Sequence, residues 1–438
     1  MKTTRPVDRR ERVLLVGIGL KRNARVPGVE PGELERESLL ELEELARSAE
    51  AEVVGSVLQM RDAIDPATLV GRGKLEEIQA EARAHSAPLL IFDRNLSPVQ
   101  QRTIEEATDC RVIDRTQLIL DIFARHARSR EGQLQVELAQ LNYLMPRLTG
   151  RGVELSRLGG GIGTRGPGEQ KLETDRRRLR DRIRKIDGEI EALRRQRSLR
   201  RRARQAVPLG TVALVGYTNA GKSTLFNALT RSSVLVSSKM FATLDPKVRA
   251  VRLPSNRRVL ISDTVGFIRD LPPGLIAAFR ATLEEVQEAA LILHVTDVSS
   301  PRHAEQDSEV EKVLVDLGVD TRPRLHVFNK VDRLEEEERA AMRPVNGNVF
   351  VSALRDIGLE KLLERIDEEL PVDPLVRMQL NVPLSDGRIL ALVHGLCRVS
   401  ASEVRDSMMW IDAEVPESVA RRLEAYREGA PPESRPRA

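Results

Sequence analysis

The sequence predicts an α/β protein in which mostly parallel sheets carry helices on both faces. Short apolar runs alternate with amphipathic helices in two parts of the chain, and stripes with coiled-coil spacing lie between them. Because 438 residues exceed one domain of roughly 150, we expect several units. They are an N-terminal α/β domain at 1–127, a basic helical hairpin with a glycine-rich tip at 128–206, a third domain at 207–370, and a small α+β domain with a tail at 371–438.

Composition excludes several classes of protein. Lys and Arg number 70 against 66 Asp and Glu, so the net charge is only +4. The two cysteines have no partner motif, which excludes a disulfide framework and favours a reducing, cytoplasmic environment. The six histidines are scattered and form no metal-binding motif. No signal peptide is apparent, no run approaches the ~20 apolar residues of a membrane span, and we expect a monomer.

The N-terminal unit alternates strands with helices. The predicted strands are 12–20, 53–60, 88–93 and 111–114, and the predicted helices are 33–49, 74–85, 97–107 and 116–127. Ser97 followed by Pro98 provides a good helix cap and first turn. This order predicts a parallel sheet that is covered by helices.

Residues 128–206 carry two apolar stripes that step by three and four residues. The first is Leu134, Leu138, Leu141, Met145 and Leu148; the second is Leu179, Ile183, Ile186, Ile190 and Leu193, with Leu172 one heptad earlier. This spacing favours two long helices packed as an antiparallel hairpin, with the segment between them as its tip. The alternative is a pair of unrelated surface helices.

The predicted tip contains a glycine motif that resembles a dinucleotide-binding turn. Gly161, Gly163 and Gly166 have the spacing G-x-G-x-x-G within SRLGGGIGTRGPGE. That fingerprint requires a strand before the glycines and a helix after them. Here the glycines follow a helix, Pro146 and a polar stretch, so we do not expect them to bind a nucleotide.

A second glycine motif, GYTNAGKST, lies between an apolar strand and a helix in the third domain. Such a loop turns backbone N–H groups inward around phosphates. Lys222 would place its charge on the β- and γ-phosphates as a catalytic group, and the Ser223 hydroxyl would ligate Mg²⁺. The expected nucleotide contacts from this loop are Gly216, Tyr217, Thr218, Asn219, Ala220, Gly221, Lys222, Ser223 and Thr224.

The stretch LISDTVGF ends a further predicted strand at Asp263. A carboxylate at this position can hold Mg²⁺ through water, and the N–H of Gly266 can sense the γ-phosphate during catalysis. Thr264 and Val265 between them are included among the expected nucleotide contacts.

Two more loops follow predicted strands and indicate guanine. Asp332, in Asn329-Lys330-Val331-Asp332, can accept both N1–H and the 2-amino group of guanine, which adenine lacks. An unpaired buried carboxylate costs about 1–3 kcal/mol, so ATP would be rejected. The loop at Ser352, Ala353 and Leu354 completes the expected base pocket. Alone, the NKVD motif could be a helix-start turn; with the other motifs it predicts a P-loop GTPase domain that uses Mg²⁺ with GTP or GDP.

The switch segment FATLDP supplies Phe241, Ala242 and Thr243 as expected nucleotide contacts. The Thr243 hydroxyl could reach Mg²⁺ and the γ-phosphate, although this residue could also merely start the next strand. Phe267 stands where many GTPases have a water-orienting Gln. We therefore expect slow hydrolysis by the chain alone, with the missing group supplied by a conformational change or a partner; a supplied arginine can be worth ~10³–10⁵ in rate.

The small C-terminal module has three stretches that favour strands and one that favours a helix. The strand-like stretches are 378–385, 389–404 and 408–416, and the helical stretch is 418–426. The remainder after this helix has the composition of a frayed tail.

Together these motifs resemble the HflX family of translation-factor-related GTPases. The similar stretches are LVGRGKLEEI, ELAQLNYLMPRLTGRG, GGGIGTRGPGEQKLETDRRR, GYTNAGKST, FATLD, DTVGFI and NKVD, and the likeness runs from about residue 12 to 426. The glycine-rich linker is more specific to the family than the GTPase motifs. Gln170 departs from the family pattern, which usually has threonine after GPGE.

The resemblance implies a GTPase that binds the large ribosomal subunit and splits or recycles stalled or idle ribosomes under stress. Arginines of the hairpin are compatible with contacts to ribosomal RNA, since guanidinium groups suit phosphate oxygens. The candidates are Arg151, Arg157 and Arg165 near the tip and Arg176, Arg177 and Arg178 in the second helix. Alternatively, helix arginines solvate the hairpin and pair with acids such as Asp175 and Glu189.

Two other functions remain open at this point. A signalling GTPase could act on a protein partner through the helical arm, or the GTPase domain could gate metabolic or RNA-modifying chemistry elsewhere. The second alternative lacks support, since the N-terminal unit shows no cysteine nucleophile, His–carboxylate cluster or cofactor motif.

Overall fold

The structure is a computed structural model, and the description covers residues 10–21, 32–150, 167–205, 210–231, 240–241, 246–269, 280–341, 347–370 and 375–428. Strands of the described residues form three sheets of four, six and three strands. No described helix is both long and apolar enough to cross a membrane.

The N-terminal sheet is parallel and has the strand order β2-β1-β3-β4. Its strands are β1 Arg12–Leu20, β2 Glu52–Arg61, β3 Leu89–Phe92 and β4 Arg111–Asp114, and its helices are α1 Glu33–Ser48, α2 Arg72–Ala84, α3 Pro98–Thr108 and α4 Arg115–His126. Every predicted element of this unit is present, with ends within two residues of the prediction. Ser97 caps α3 as expected, because its hydroxyl accepts from the Gln100 N–H while the Gln100 side chain returns to the Ser97 N–H.

Helices cover both faces of this sheet because side chains alternate along β1. Val13 and Leu15 face a cluster with α1 and α4, whereas Leu14 and Val16 face a second cluster with α2 and α3. The first cluster does not stop at the N-terminal unit. It continues into the six-stranded sheet of the third unit, and the ring of Phe123 on α4 packs edge-on against Phe241 with centroids 4.5 Å apart.

Helices α5 (Arg130–Leu144) and α6 (Pro167–Gln205) pack against each other in antiparallel fashion. Arg182 bonds Glu137 at 2.7 Å and Arg130 bonds Glu189 at 2.8 Å, so one helix runs up the chain as the other runs down. Their apolar seam consists of Leu134, Leu138, Leu141, Ile186, Ile190 and Leu193.

The first helix ends earlier than its stripe predicts. Residues Met145–Gly150 form a 3₁₀ helix, so Met145 and Leu148 do not extend α5. Pro146 explains the change, since proline lacks the N–H and clashes with the preceding helical turn. Arg147 then docks on the N-terminal unit, where it bonds the Leu96 carbonyl at 2.7 Å and the buried Asp114 carboxylate at 3.0 Å.

The GTPase sheet has the order β10-β9-β8-β5-β7-β6 and is parallel except for β6 against β7. Its strands are β5 Gly210–Val215, β6 Lys247–Arg252, β7 Arg258–Asp263, β8 Leu291–Asp297, β9 Arg324–Asn329 and β10 Val349–Phe350. The described helices of this unit are α7 Lys222–Thr230, α8 Arg280–Glu288, α9 His303–Asp316, α10 Glu336–Ala341 and α11 Leu359–Glu369. Such a sheet brings the loops after β5, β7, β8 and β9 to one edge, where ligands of α/β proteins bind.

The C-terminal unit is an antiparallel sheet of order β11-β13-β12 that is packed against helices. Its elements are β11 Leu375–Pro383, α12 Gly387–Leu396, β12 Arg398–Arg405, β13 Met408–Pro416 and α13 Glu417–Leu423. The strand prediction was wrong for 389–396, which lie in α12. Short apolar runs do not distinguish strand from helix, and the Asp386 carboxylate caps this helix through the Ile389 N–H at 3.2 Å.

Candidate functional site

The glycine-rich loop after β5 packs closely against residues of β8 and β9. Gly216 has φ 153°, and a Cβ there would lie 2.2 Å from the Val295 carbonyl oxygen. Gly221 has φ 90°, and its Cβ would lie 2.2 Å from Nδ2 of Asn329. Both positions therefore require glycine, and α7 begins directly after the loop, at Lys222.

Lys222 is buried and lies across the concave side of this loop. Its Nζ donates to the carbonyl oxygens of Gly216 at 3.0 Å and Tyr217 at 2.7 Å. Burial lowers the pKa of Lys222 to about 8, against the opposing attraction of Asp263. A buried ammonium group gains strongly from an anion, and a phosphate placed in the loop would provide one.

Ser223 and Asp263 meet beside the loop. The Ser223 hydroxyl donates to Oδ2 of Asp263 at 2.7 Å, and Asp263 is fully buried at the end of β7. A hydroxyl and a carboxylate at the mouth of a phosphate loop are hard oxygen donors of the kind that Mg²⁺ takes, so these two residues fit the cation. Thr243, the third predicted ligand, and Ala242 lie outside the described residues.

The segment after Asp263 is joined to the phosphate loop by main-chain hydrogen bonds. The Phe267 N–H donates to the Gly216 carbonyl at 3.1 Å, and the Thr218 N–H donates to the Phe267 carbonyl at 2.7 Å. A Cβ on Gly266 would lie 2.8 Å from Cα of Thr218 and 2.9 Å from Nζ of Lys222. The Gly266 backbone therefore lies directly beside the lysine. Thr264 and Val265 are buried.

Asn329 connects the phosphate loop to the two loops that were expected to hold the base. Its Nδ2 donates to the Ala220 carbonyl at 2.9 Å, and its Oδ1 accepts from the Ala353 N–H at 3.0 Å. The Ser352 hydroxyl donates to Oδ1 of Asp332 at 2.6 Å, so the two loops orient that carboxylate together. Leu354, by contrast, is 71% exposed.

Sequence reasoning missed Asp297 at the end of β8. Its Oδ2 lies 2.5 Å from Nζ of Lys330, which sits in left-handed conformation with φ 67°. The position could have been found, because Asp297 follows an apolar strand just as Asp263 and Asn329 do.

Sequence reasoning also missed the role of the Tyr217 side chain, which points away from the loop. Its hydroxyl donates to Glu41 on α1 at 2.7 Å and accepts from the Arg269 N–H at 2.9 Å. The guanidinium of Arg115, 2% exposed, lies between Glu41 at 2.9 Å and Asp93 at 2.8 Å. Burial raises the pKa of Tyr217. Any contact of Tyr217 with a nucleotide would therefore come from its main chain, and no local pattern predicts the partner on α1.

Three further residues that were expected to contact the nucleotide are described, namely Asn219, Thr224 and Phe241. Asn219 adopts φ 62° in the turn, and Thr224 follows Ser223 in the first turn of α7. Phe241 is 4% exposed and packs on the N-terminal unit.

Three of the six arginines that were predicted to contact RNA belong to the described residues, and they lie on α6. Arg177 and Arg178 are exposed and Arg176 is half-buried. Arg178 lies 3.7 Å from Asp175, but its side chain is 78% exposed, and such surface pairs contribute only about 0–1 kcal/mol. This pair fits the solvated-face interpretation without excluding RNA. Arg151, Arg157 and Arg165 lie outside the described residues, as does the glycine motif of the tip.

Fold and site together define a P-loop GTP-binding protein. Family models agree along the chain: "GTP-binding GTPase N-terminal" matches residues 36–124, "GTP-binding GTPase Middle Region" matches 126–204, and "50S ribosome-binding GTPase" matches 211–330. The chain belongs to the HflX family of GTPases and is an enzyme that hydrolyses GTP.

Two relatives illustrate the assignment. GTPase HflX of Caldanaerobacter subterraneus is 52% identical over 77% of this chain and 78% of its own length. GTPase HflX of Escherichia coli is 44% identical over 82% of this chain and 85% of its own. Among solved structures, a GTP-binding protein of Sulfolobus solfataricus in complex with GDP is similar, with 24% identity, a TM-score of 0.42, and coverage of 82% of this chain and 98% of that one. The family assignment rests on the sequence relatives.

Proposed function

We propose that this GTPase binds GTP with Mg²⁺ at the loops after β5, β7, β9 and β10, and acts as a switch on the large ribosomal subunit. The observation that supports this site best is Asn329, whose side chain bonds the phosphate loop at 2.9 Å and the Ala353 loop at 3.0 Å. One buried amide thereby links the phosphate end of the pocket to its base end. GTP and GDP have the same guanine base and the same β-phosphate position, so either nucleotide would fit this pocket.

In the proposed site, Asp332 accepts the guanine N1–H and 2-amino group, with Ser352 holding the carboxylate. Lys222 leaves its two carbonyl partners and binds the β- and γ-phosphates. Ser223, Asp263 and Thr243 would hold Mg²⁺, which would offset the charge of the phosphates. Gly266 presents its N–H to the γ-phosphate, since there is no room for a side chain between Thr218 and Lys222.

Hydrolysis by the isolated chain is proposed to be slow. Phe267 is 5% exposed and packs in the cluster shared with the N-terminal unit, so it neither orients water nor turns outward at low cost. The missing group would come from a docked partner, or from a rearrangement that docking induces.

The proposed partner is the large subunit and its RNA, which the cytoplasmic monomer would contact with the arginines of α6 and the glycine-rich tip. The GTP-bound state would dock and separate stalled or idle ribosomes under stress, and hydrolysis would release the protein. The family description "50S ribosome-binding GTPase" at 211–330 supports the subunit, and the exposure of Arg177 and Arg178 supports the RNA contact.

Sedimentation of the protein with 50S, 30S and 70S particles tests this proposal. We expect co-sedimentation with 50S in a non-hydrolysable GTP analogue, much weaker co-sedimentation in GDP, and GTP turnover that rises several-fold as 50S is titrated. Turnover that stays flat with 50S would contradict the switch. Binding that survives nuclease treatment of the partner fraction would instead favour a signalling GTPase that acts on a protein.

A further inference from the structure

Three side chains with metal-binding atoms meet on the GTPase sheet, away from the nucleotide loops. His294 on β8 and His326 on β9 are direct partners across the two parallel strands, and Glu311 lies on α9 above them. One ligand atom from each lies within 4.8 Å of the others. The scattered positions of these residues in the sequence gave no sign of the cluster, because strand register and helix packing bring them together.

His294 is the unusual member. It is fully buried, and neither ring nitrogen makes a well-aligned hydrogen bond. Its Nδ1 lies 3.7 Å from Oε1 of Glu311, and its Nε2 lies 3.1 Å from Oδ1 of Asp307. With Nε2 beside Asp307, Nδ1 is the buried ring nitrogen that lacks a partner within hydrogen-bond distance, and such a nitrogen calls for a ligand or a specific role.

The two sides of the His294 ring match the two roles of a metal-binding histidine. Such a histidine gives one nitrogen to the metal and the other N–H to a carboxylate, which orients the ring. Here Nδ1 faces Glu311, and Nε2 faces Asp307, whose Oδ1 also accepts the Thr296 hydroxyl at 2.7 Å. Asp307 is therefore itself held in place.

The distances between the three ligand atoms suit a small cation if the side chains move slightly closer together. Ligand bonds of ~2.0–2.1 Å in a tetrahedral zinc site place neighbouring ligand atoms roughly 3.3 Å apart. The ligand atoms of His294, His326 and Glu311 lie within 4.8 Å of one another, so the widest separation would have to shorten by roughly an ångström or two before all three could bind one Zn²⁺. His326 and Glu311 are only half-buried, so their side chains can make that movement and a cation can enter from solvent.

The neighbouring charges permit this binding. Arg324 contacts Oε1 of Glu311, which leaves the second carboxylate oxygen to turn toward a cation.

We propose that His294, His326 and Glu311 form a binding site for Zn²⁺, with Asp307 as the positioning residue of His294 and water at the open coordination position. The cation would clamp α9 onto β8 and β9. Three residues further along, these strands end at Asp297 and Asn329, so the clamp would stabilise the base end of the nucleotide site.

Calorimetric titration of Zn²⁺ into the untagged, full-length protein tests the proposal. Saturating GDP and Mg²⁺ are present, so that the magnesium position is already filled. We expect about one Zn²⁺ per chain in the wild type, with binding at least tenfold weaker in His326→Gln and Glu311→Gln. Asp307→Asn should weaken binding about 10–100-fold, as removal of a ligand-orienting partner does. Substituting Co²⁺ should give visible ligand-field absorption that is absent from both ligand variants.

The matched control is Glu81→Gln with His85→Gln, which removes a surface pair of the same residue types, 3.1 Å apart at the C-terminal end of α2. This variant should bind Zn²⁺ as the wild type does. Equal affinity in the wild type and in both ligand variants, or binding of much less than one Zn²⁺ per chain, would overturn the proposal and leave His294 as a buried partner of Asp307. Glu311→Gln keeps the test available if circular dichroism shows that His326→Gln does not fold.

Discussion

The nucleotide site and the arginines of α6 were both predicted from short stretches of sequence, yet they differ in burial and in hydrogen bonding. Around the phosphate loop, Lys222, Asp263 and Asn329 are buried and held by several hydrogen bonds. On α6, Arg177 and Arg178 are exposed, and the nearest acid to Arg178 is 3.7 Å away. A site built on main-chain geometry leaves a strict motif in the sequence, whereas the proposed charged surface leaves only an arginine-rich composition.

The largest expected effect is at the centre of the nucleotide site. Lys222→Ala should lower GTP hydrolysis about a hundredfold or more, because it removes a buried cation from the place proposed for the transferred phosphate. Phosphate release at saturating GTP measures this. Lys361→Ala, which removes an exposed lysine from α11, is the matched control and should hydrolyse GTP normally. Equal rates in the two variants would remove Lys222 from the proposed chemistry.

The next effect concerns the base. Asp332→Asn keeps an oxygen for the Ser352 hydroxyl but no longer accepts from both guanine donors. We expect GDP to bind about tenfold or more weakly while ADP binding changes little, consistent with ~1–3 kcal/mol for mispaired buried groups. Competition of GDP and ADP against a fluorescent nucleotide measures both affinities. An unchanged GDP-to-ADP ratio would show that the base lies elsewhere.

A smaller effect is expected on α6. Replacing Arg176, Arg177 and Arg178 by alanine should weaken ribosome binding several-fold and reduce the salt slope by about 0.7–0.9 for each phosphate that is no longer neutralised. The matched control removes the same charge from the C-terminal unit, at Arg388, Arg421 and Arg422. If both triple variants show the wild-type slope, the α6 arginines only solvate the hairpin.

The smallest expected effect comes from a variant that removes a side-chain contact of Tyr217 and leaves the main chain of the phosphate loop unchanged. Tyr217→Phe removes the bonds to Glu41 and the Arg269 N–H but leaves the loop backbone intact. The free energy of unfolding should fall by about 1 kcal/mol while GDP affinity stays nearly constant. Urea unfolding and GDP titration measure the two quantities. A large drop in GDP affinity with unchanged stability would instead give the Tyr217 side chain a direct nucleotide role.

Prediction succeeded where the relevant interactions are local. The N-terminal strands and helices follow from apolar periodicity, and the ends agree within two residues. It failed at 389–396, where an apolar run is compatible with either structure, and at Met145, where Pro146 ends the helix that the heptad stripe extends. The four-domain division, the magnesium ligands and the RNA contacts stay predictions.

By itself, the sequence determined that a phosphate loop opens a helix after β5 and that the guanine motif follows β9. These features depend on residue types at fixed spacing along one strand–loop–helix unit, so local stereochemistry specifies them. Only the tertiary structure decided that Tyr217 bonds Glu41 across the two sheets' shared core, and that His294, His326 and Glu311 meet on one face. Those contacts depend on strand register and on how helices pack over the sheets, which no short stretch of sequence records.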